Sequence, residues 1–552
     1  MKEKKYLIYG IAIVLLTIIG VTLAYFITEI EGDKKDVTIN TGDLRVIFNN
    51  GEKIEGIDIE PGWSITKTFS IENKSKTEYK YNIVIQDLVN TFVSDNLVYK
   101  ITSTNNGHNM TDYEVLPKSD TQEDTILTYS TTISGRTTQE YTIGVKFKEE
   151  DRNQYEDMGK TITGKIYIEE GTYLTLFNKI LRDNPTRRIR SNNNNGTNDF
   201  ATPFNETTTG TLFTSTESIT GITDTPQEVY YYAGKTNNWV KFGKYETDLI
   251  RYRGYASSTS ELYKEYSTID ECTSATSYNT NCTKYQYASA GDSIYWRIMR
   301  TNHDGSIRLL YVGTSHDTTD GSIGMSAINT NYDSPKYVGY KYGEDDSTLD
   351  GIRANTTDST IKTYIDTWYK NNLTNYTKYL STSAVYCNDR NLETEGSYTT
   401  SNTRFNFASY KRLFTDKTPT YNCSDIRDAF SVDNTSAKLD YPIALMTADE
   451  IVFAGGPVSS YAYMASPYAW FLTNSVGSYA TEYWNSLSPL YWYSEGAHEW
   501  FWNRGFLSLG IIRVDGGVSV RPAISLNSCT KWNSGDGTPE NPYTILETDS
   551  GC

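Results

Sequence analysis

Histidine is scarce in this chain, and the motifs that would give its few histidines a chemical task are missing. Four histidines occur among 552 residues: His108, His303, His316 and His498. No two of them share the spacing of a zinc site, and His498-Glu499 does not extend to HExxH because position 502 is Trp. A G-x-S-x-G elbow, a P-loop and a dinucleotide-binding glycine fingerprint are absent as well. The sequence therefore predicts a protein that is not an enzyme.

Positive charge and proline are also in short supply. The 51 basic residues face 68 acidic ones, which leaves a net charge of −17. Phosphate binding needs clustered Lys and Arg, so we expect no nucleic-acid partner. Tyr, Thr, Asn, Ser and Gly are abundant, which is typical of β-sheet with polar loops. Aromatic residues make up 13% of the chain, too many for a disordered protein.

Cysteine is absent before position 272 and then occurs six times, at Cys272, Cys282, Cys387, Cys423, Cys529 and Cys552. An even number of cysteines in an exported chain indicates disulfides. Sequential pairing is the simplest of several possible connectivities: Cys272–Cys282, Cys387–Cys423 and Cys529–Cys552. Zinc is the competing interpretation, and no CxxC or HxxxH spacing favours it.

The first 26 residues predict export. Lys2, Lys4 and Lys5 precede an uncharged apolar run from Tyr6 to Phe26. Residues 1–26 are therefore either a signal peptide, cut after Ala24, or an uncut N-terminal membrane anchor (a transmembrane helix over residues 6–26). Both interpretations place the rest of the chain outside the cell, secreted or attached to the cell surface.

The remaining chain divides into three predicted segments of a mainly β protein with some α. Residues 36–171 alternate as short half-buried strands do, for example over 65–71 and 141–147, which predicts a β-sandwich. Residues 172–227 are Thr- and Asn-rich around one short helix near 174–181 and are interpreted as a linker. Residues 228–552 form a second, α+β domain.

Two helices stand out in that second domain. Ser359 has the character of an N-cap, and Ile361, Tyr364, Ile365 and Trp368 follow at helical spacing. A shorter helix is expected to begin near Thr447 and to end at Gly455-Gly456. Its Asp449 and Glu450 are adjacent and point apart, so we expect a cap or a salt bridge rather than a paired acid and base.

The N-terminal region, up to residue 171, resembles the TasA/camelysin family of exported Gram-positive proteins. The resemblance is carried by a SipW-type signal ending in Leu23-Ala24-Tyr25-Phe26, followed by Asn40-Thr41-Gly42-Asp43-Leu44, Ile59-Glu60-Pro61-Gly62 and Phe69-Ser70-Ile71-Glu72-Asn73. It implies a jelly-roll-like sandwich and, as an alternative function, a structural subunit of biofilm-matrix fibres that self-assembles. The peptidase activity ascribed to camelysin is not expected here, because this domain has only His108 and no HExxH.

The C-terminal half resembles Firmicute and Mollicute surface proteins with a C-type-lectin-like fold related to formylglycine-generating enzymes. The matching stretches are Tyr295-Trp296-Arg297-Ile298, Tyr386-Cys387-Asn388-Asp389-Arg390, Tyr441-Pro442-Ile443-Ala444-Leu445 and Val520-Arg521-Pro522-Ala523-Ile524. The resemblance implies the fold and not a function. Because Cys529 and Cys552 are better explained as a bridge, oxidase chemistry is not expected.

Residues 461–513 are the most informative segment, because they contain five of the ten tryptophans among Tyr, Ser, Asn and Glu. Flat aromatic rings give a large contact area at little cost in entropy, and sugars stack on them well. The candidate ligand-binding residues are Trp470, Tyr479, Tyr483, Trp484, Asn485, Tyr491, Trp492, Tyr493, Glu495, Trp500, Trp502, Asn503 and Arg504. The alternative is that these rings only pack the interior of a loop-rich domain.

We therefore expect a non-catalytic cell-surface adhesin that binds a glycan or an extracellular protein through this segment. A second alternative is a variable receptor diversified by a retroelement, since lectin-like folds carry such regions. No cofactor is expected, although calcium could use the oxygens of Asn302-His303-Asp304-Gly305 or Asn533-Ser534-Gly535-Asp536-Gly537. Both stretches are also ordinary turn sequences.

Overall fold

The computed structural model divides the chain into two compact units, Met1–Leu174 and Thr175–Cys552. It describes residues 27–552 except 32–36, 42–43, 50–53, 58–59, 106, 158, 172, 192–198, 202–203, 205, 256–262, 276–281, 318–320, 394–396, 402, 459–469, 472–482, 494–495 and 504–507. The predicted signal peptide or membrane anchor over residues 1–26 lies outside the described residues. Within the described residues, no helix is both long and apolar enough to span a membrane.

The N-terminal unit is built from strands that alternate between a buried and an exposed face. Its described strands are β1 (Ile27–Glu31), β2 (Val37–Thr41), β3 (Leu44–Asn49), β4 (Ile54–Ile57), β5 (Ser64–Asn73), β6 (Tyr79–Asn90), β7 (Leu97–Ser103), β8 (Glu114–Val115), β9 (Ser119–Ile133), β10 (Thr137–Phe147) and β11 (Thr161–Glu170). One sheet has the order β4-β1-β11-β6-β9 and the other β2-β3-β5-β10-β7-β8. A 3₁₀ turn, Tyr155–Asp157, precedes β11.

Both sheets of this unit contribute to one core. Phe69 and Ile71 of β5 and Tyr141 of β10 pack in the same cluster as Ile83 of β6 and Ile166 of β11. Two sheets that enclose one core form a β-sandwich, so the predicted sandwich is confirmed. It begins earlier than residue 36, because β1 lies in a sheet between β4 and β11.

The C-terminal unit contains the remaining strands. They are β12 (Thr186–Ile189), β13 (Thr211–Ile219), β14 (Thr223–Tyr231), β15 (Trp239–Lys244), β16 (Leu249–Tyr255), β17 (Tyr263–Tyr266), β18 (Thr283–Ala288), β19 (Ser293–Thr301), β20 (Ile307–Gly313), β21 (Met325–Ser326), β22 (Lys341–Tyr342), β23 (Thr357–Asp358), β24 (Tyr386–Cys387), β25 (Phe405–Asn406), β26 (Ala429–Phe430), β27 (Ile443–Leu445), β28 (Tyr483–Tyr493), β29 (Gly496–Asn503), β30 (Ser508–Arg513), β31 (Val518–Ser519), β32 (Pro522–Leu526), β33 (Trp532–Ser534) and β34 (Tyr543–Ile545).

Most of these strands join two larger sheets. The first has the order β12-β13-β14-β19-β15-β34-β33, and β20, β32 and β27 extend it beside β19. The second has the order β21-β31-β28-β29-β30, with β25 paired to β28. The strands β16, β17 and β18 form a small separate sheet, and β22–β23 and β24–β26 are two-stranded pairs.

Helices are few, and two of them begin at the predicted capping residues Ser359 and Thr447. The α-helices of the described chain are α1 (Leu176–Asp183), α2 (Ile269–Ala275), α3 (Leu349–Ile352), α4 (Thr360–Asn372) and α5 (Ala448–Phe453), with 3₁₀ turns at Pro335–Val338 and Thr374–Tyr379 and a π-helix at Tyr410–Asp416. Ser359 caps α4 by accepting a hydrogen bond from the backbone N–H of Lys362. Both predicted helices are thus present. The chain is mainly β with some α, as the composition predicts.

Residues 172–227 are not a linker, which corrects the predicted domain boundary. Thr175 onward belongs to the second unit, and β13 and β14 in this segment join its largest sheet. The predicted short helix is present as α1, capped by Thr175. The Thr-rich sequence hid β13, in which Leu212, Phe213 and Ile219 are buried although most of the other residues of the strand are polar.

All six cysteines are paired as the simplest connectivity predicted. The bonds are Cys272–Cys282, Cys387–Cys423 and Cys529–Cys552. Each joins residues of the second unit, and the first unit contains no cysteine. Disulfides of this kind persist in oxidising compartments outside the cytosol.

Candidate functional site

The aromatic segment predicted to bind a ligand folds mainly into an antiparallel sheet. Strands β28, β29 and β30 pair in sequence, with Tyr491 opposite His498 and His498 opposite Arg513. Residues directly opposite each other point to the same face of a sheet. These three side chains therefore share one face, while Ala497 and Glu499 of β29 point to the other.

The tryptophans of this segment whose side chains are described are buried. Trp470, Trp492 and Trp500 are 3%, 4% and 1% exposed. Each indole N–H has a partner, because Trp470 donates to Tyr232 O, Trp492 to Ser401 O and Trp500 to Ser409 Oγ. These three rings are core residues, so the prediction that they form a binding surface is wrong in this conformation.

The other candidate residues fall into three groups. Asn485 is buried and donates to Ser326 O, so it is structural too. Tyr483, Trp484, Trp502 and Asn503 lie in β28 and β29, where only the backbone is described. Tyr479, Glu495 and Arg504 lie outside the described residues. This leaves Tyr491 and Tyr493 as candidate residues that reach the surface.

Tyr491 and Tyr493 belong to a larger exposed cluster that we name the aromatic patch: Arg404, Tyr410, Phe414, Tyr491 and Tyr493. Tyr493 is 42% exposed and Phe414 41% exposed. The Arg404 guanidinium lies 4.2 Å from the centre of the Tyr491 ring and 5.3 Å from that of Tyr410. Tyr410 and Phe414 stack at 5.3 Å. The patch thus combines exposed ring surface with the Arg404 guanidinium, and the Lys417 ammonium lies 5.2 Å from the centre of the Phe414 ring.

Local structure fixes the position of the patch. Pairing of β25 with β28 sets Phe405 opposite Trp492, which brings the preceding Arg404 close to Tyr491. Ser409 holds the start of the π-helix Tyr410–Asp416 to the sheet, because its Oγ donates to Pro489 O and accepts from the Trp500 indole. The sequence prediction missed Arg404, Tyr410 and Phe414, which lie 69–79 residues before the start of β28 at Tyr483.

His498 packs against the Tyr491 ring of the aromatic patch. It is 8% exposed, and its ring stacks on Tyr491 at 4.4 Å. Its Nδ1 lies 2.8 Å from Gly496 O, and a carbonyl oxygen can only accept, so Nδ1 carries a proton. Because Arg404 and His498 both cover Tyr491, the surface left for a ligand is the Arg404 plane and the Tyr493 and Phe414 rings.

Glu499 lies on the opposite face of the same sheet. It is 1% exposed, and its Oε2 has no hydrogen-bond partner among the described residues. Burial raises the pKa of this carboxyl well above its usual range, while Arg390 acts weakly in the other direction. Burial therefore favours the protonated form of the Glu499 carboxyl.

A network of buried charges surrounds the start of α5. Arg300 contacts Glu217 at 2.9 Å and Glu450 at 2.8 Å, and Arg308 contacts Glu450 at 2.7 Å. Burial opposes ionisation, yet Arg300 and a hydrogen bond from His303 hold the pKa of Glu217 at about 2. The pKa of Glu450 is likewise lowered, because Arg308 and Arg300 outweigh its burial.

This network confirms the expected roles of Asp449 and Glu450. Glu450 accepts from the Thr447 backbone N–H while Thr447 Oγ1 accepts from Glu450 N, which completes a capping box. Asp449 forms a bidentate pair with Arg412, whose third nitrogen contacts Asp389. The space between these groups is about 20 Å³, room for one water molecule. We interpret the network as structural.

The two sequences considered for calcium form turns. Asp304 accepts hydrogen bonds from the hydroxyls of Ser306, Ser381 and Ser383, and Asp536 accepts from Thr538. Their carboxylate oxygens thus act as turn and loop acceptors.

A cluster of carboxylates with metal-site spacing lies elsewhere, at Asp358, Asp366 and Asp440. The Lys362 ammonium sits between them at 3.0, 2.6 and 2.6 Å. The lysine therefore takes the position that a cation would occupy.

No protein-family model matches the chain, and no curated protein matches it. One match among solved structures is a chain of AvmM, which catalyses macrocyclization in alchivemycin A biosynthesis. That chain shares 6% identity, covers 26% of this protein and 100% of its own length, and superimposes with a TM-score of 0.13. A TM-score this low carries no argument about fold or function.

Proposed function

We propose that this protein is an exported, non-catalytic adhesin whose C-terminal unit binds a glycan or an extracellular protein through the aromatic patch. The observation that carries the proposal is the patch itself, in which Phe414 and Tyr493 expose about two-fifths of their surface and Arg404 lies over the rings of Tyr491 and Tyr410. Open rings of this size next to a planar cation suit stacking on sugar faces and hydrogen bonding to acidic or hydroxyl groups.

Other features support this location and role. Three disulfides in the second unit favour a compartment outside the cytosol. The resemblance to lectin-like surface proteins adds a fold on which binding sites are often mounted.

A binding screen of the purified protein against immobilised glycans, mucin and bacterial cell walls tests the proposal. Arg404→Ala and Tyr493→Ala are the test variants, and Ile511→Ala is the matched control because it is 50% exposed on the same sheet, two strands from β28. We expect binding that both test variants lose and the control keeps. Trp500→Ala is a poor probe, since it removes a core ring.

Two outcomes would count against the proposal. Binding that Arg404→Ala and Tyr493→Ala leave unchanged places the site elsewhere on the molecule. Ordered fibres seen by electron microscopy, together with no binding to any of these surfaces, would favour the matrix-fibre alternative.

A further inference from the structure

An open cleft lies at one edge of the largest sheet of the C-terminal unit, where the pairing along β13 is interrupted. β12 pairs in parallel with β13 as far as Ile189 opposite Thr214. The next described partner on this edge is Cys423, which lies parallel and opposite Ile219. No strand of the described chain pairs with residues 215–217 on this edge. The gap between the two parallel neighbours is about 10 Å long, because a strand rises about 3.3 Å per residue.

Thr216 directs its backbone N–H and C=O into this cleft. Thr186 N donates to Gly210 O, so the even-numbered residues at the start of β13 turn their backbone groups toward β12. The backbone groups of a strand face its two edges alternately, and Thr216 follows Thr214 in the even-numbered series. Thr216 is exposed. A strand placed in the cleft therefore meets one backbone donor and one backbone acceptor, as in recognition by strand addition.

One wall of the cleft is apolar. Phe200 and Phe453 pack edge to face with their ring centres 5.4 Å apart, and both line the cleft together with Pro419. Phe453 also packs on Tyr231, which lies opposite Phe213 of β13. Residues directly opposite each other share one face of a sheet. The apolar wall therefore lies on the face to which the odd-numbered residues of β13 point.

The opposite wall carries the one exposed charge among the described residues that line the cleft, the carboxylate of Glu228. Glu228 lies opposite Thr216, so both point to the face of the even-numbered residues. The Tyr230 hydroxyl donates to Glu228 at 2.6 Å, a bond that leaves the carboxylate charged. Arg190 also lines the cleft, but it is 7% exposed and its Nη groups donate to backbone carbonyl oxygens. Arg187 packs on the Tyr230 ring at 5.3 Å and lies outside the lining.

The cleft has both the space and the access that a ligand needs. Its volume is about 410 Å³, within the range of about 300–1,000 Å³ that is typical of ligand sites. Ile189 at its rim is 78% exposed, and Thr216 and Glu228 are exposed as well. A ligand therefore reaches the unpaired edge of β13 from solvent without displacing core side chains.

We propose that this cleft binds a short extended peptide with alternating apolar and basic side chains. The peptide lies beside β13, donates to and accepts from the Thr216 backbone, and places apolar side chains against Phe200 and Phe453. Its basic side chains point to the other face, beside Glu228, because side chains of an extended chain alternate. A basic peptide also suits a chain with a net charge of −17. The cleft shares no residue with the aromatic patch, so failure of this site leaves the proposed function standing.

Two synthetic tetrapeptides test the site on the purified full chain by titration calorimetry. The probe is acetyl-Val-Lys-Val-Lys-amide, and its matched control is acetyl-Val-Glu-Val-Glu-amide, which keeps the backbone and the apolar side chains. We expect saturable binding of the lysine peptide and binding of the glutamate peptide weaker by about tenfold or more, because like charges meet at Glu228. No binding of the lysine peptide, or equal binding of the two peptides, would overturn the proposal.

Two substitutions of Thr216 separate backbone pairing from side-chain contact. Thr216→Pro removes the N–H that faces the cleft, and proline is tolerated at a strand edge where the N–H makes no ladder bond. Thr216→Val changes the side chain and keeps the N–H. We expect the proline variant to lose binding of the lysine peptide and the valine variant to keep it. Undiminished binding by Thr216→Pro would refute strand addition at this edge.

A measurement on the wild-type protein avoids dependence on the folding of a variant. The amide ¹⁵N resonances of threonine-labelled protein are followed while the lysine peptide is added. We expect a saturating change at Thr216 and none at Thr530, which is 1% exposed and does not line the cleft. An unchanged Thr216 amide in the presence of bound peptide would place the peptide elsewhere and overturn the proposal.

Discussion

Two groups of buried charges in the C-terminal unit differ in how they are compensated. Around α5, the carboxylates of Glu217 and Glu450 face Arg300 and Arg308, and the pKa of each carboxyl is lowered. Glu499 is buried to a similar degree, yet its pKa is raised. Whether a buried carboxyl is charged therefore depends on the presence of a neighbouring opposite charge, and not on burial alone.

The N-terminal sandwich contains a group of the second kind. Lys67 of β5 points into the sandwich, is 3% exposed, and its Nζ has no partner among the described residues. Burial lowers the pKa of its ammonium to about 8. Among the described residues, Arg297, Glu499 and Lys67 thus form no ion pair. The following predictions compare these three groups with ion-paired or exposed ones.

The largest effect is expected from breaking the compensated network. Arg300→Met leaves Glu217 and Glu450 buried without their shared partner, which should cost about 3–5 kcal/mol of unfolding free energy. Chemical denaturation of the purified protein measures it.

Arg297→Met is the matched control, since both arginines lie on β19 and both are buried. Because Arg297 has no carboxylate partner among the described residues, its removal should cost less than about 1 kcal/mol or stabilise the protein. Equal losses for the two variants would contradict the distinction between compensated and uncompensated charges.

A gain in stability is expected for Glu499→Gln. The unfolded carboxyl releases its proton near pH 4.3 while the folded one keeps it, so stability falls as pH rises above that value until the folded pKa is reached. The variant should gain about 1–3 kcal/mol at pH 7.5 and lose this part of the pH dependence. Denaturation at several pH values measures both effects. The exposed Glu540→Gln is the control, which should change neither the unfolding free energy nor its pH dependence.

A smaller gain is expected in the sandwich for Lys67→Met. Because the folded pKa of about 8 lies below the unfolded value of 10.5, the unfolded state binds more protons between these pH values, and stability rises with pH across this window. Lys67→Met should add about 1–2 kcal/mol at pH 7 and flatten that rise. The exposed Lys76→Met should change neither the stability at pH 7 nor its rise with pH. A wild-type sandwich whose stability is constant from pH 8 to 10.5 would contradict the lowered pKa of Lys67.

The smallest effect is expected at the aromatic patch. Tyr493→Ala removes an exposed ring and should change the unfolding free energy by less than about 0.5 kcal/mol. A loss above 2 kcal/mol in the same denaturation experiment would mean that Tyr493 belongs to the core and is unavailable to a ligand.

Most of the correct fold prediction came from local sequence patterns, namely hydrophobic alternation and helix-capping residues. Alternation identified the strands around 65–71 and 141–147, and capping residues located α4 and α5, because these signals depend on neighbours a few residues away. The disulfide pairing also followed from proximity in sequence. The segment 172–227 was misjudged because β13 gains its stability from distant partners, such as the Glu217–Arg300 pair.

The candidate site could be predicted only in part. The composition of residues 461–513 did not distinguish buried from exposed rings. The indole N–H groups of Trp470, Trp492 and Trp500 donate to oxygens far away in the chain, such as Tyr232 O for Trp470. Arg404 and Phe414 reach the patch through the pairing of β25 with β28. Such long-range contacts leave no pattern in the local sequence.

Covalent footprinting of exposed side chains, with and without a bound cell-wall or glycan fraction, tests the proposed function most directly because it needs no variant. We predict protection of Tyr493, Phe414 and Tyr410, with unchanged labelling of Tyr155, which is 75% exposed in the N-terminal unit. Protection confined to the N-terminal sandwich, with the aromatic patch labelled as in the free protein, would contradict the proposal that the patch is the binding surface.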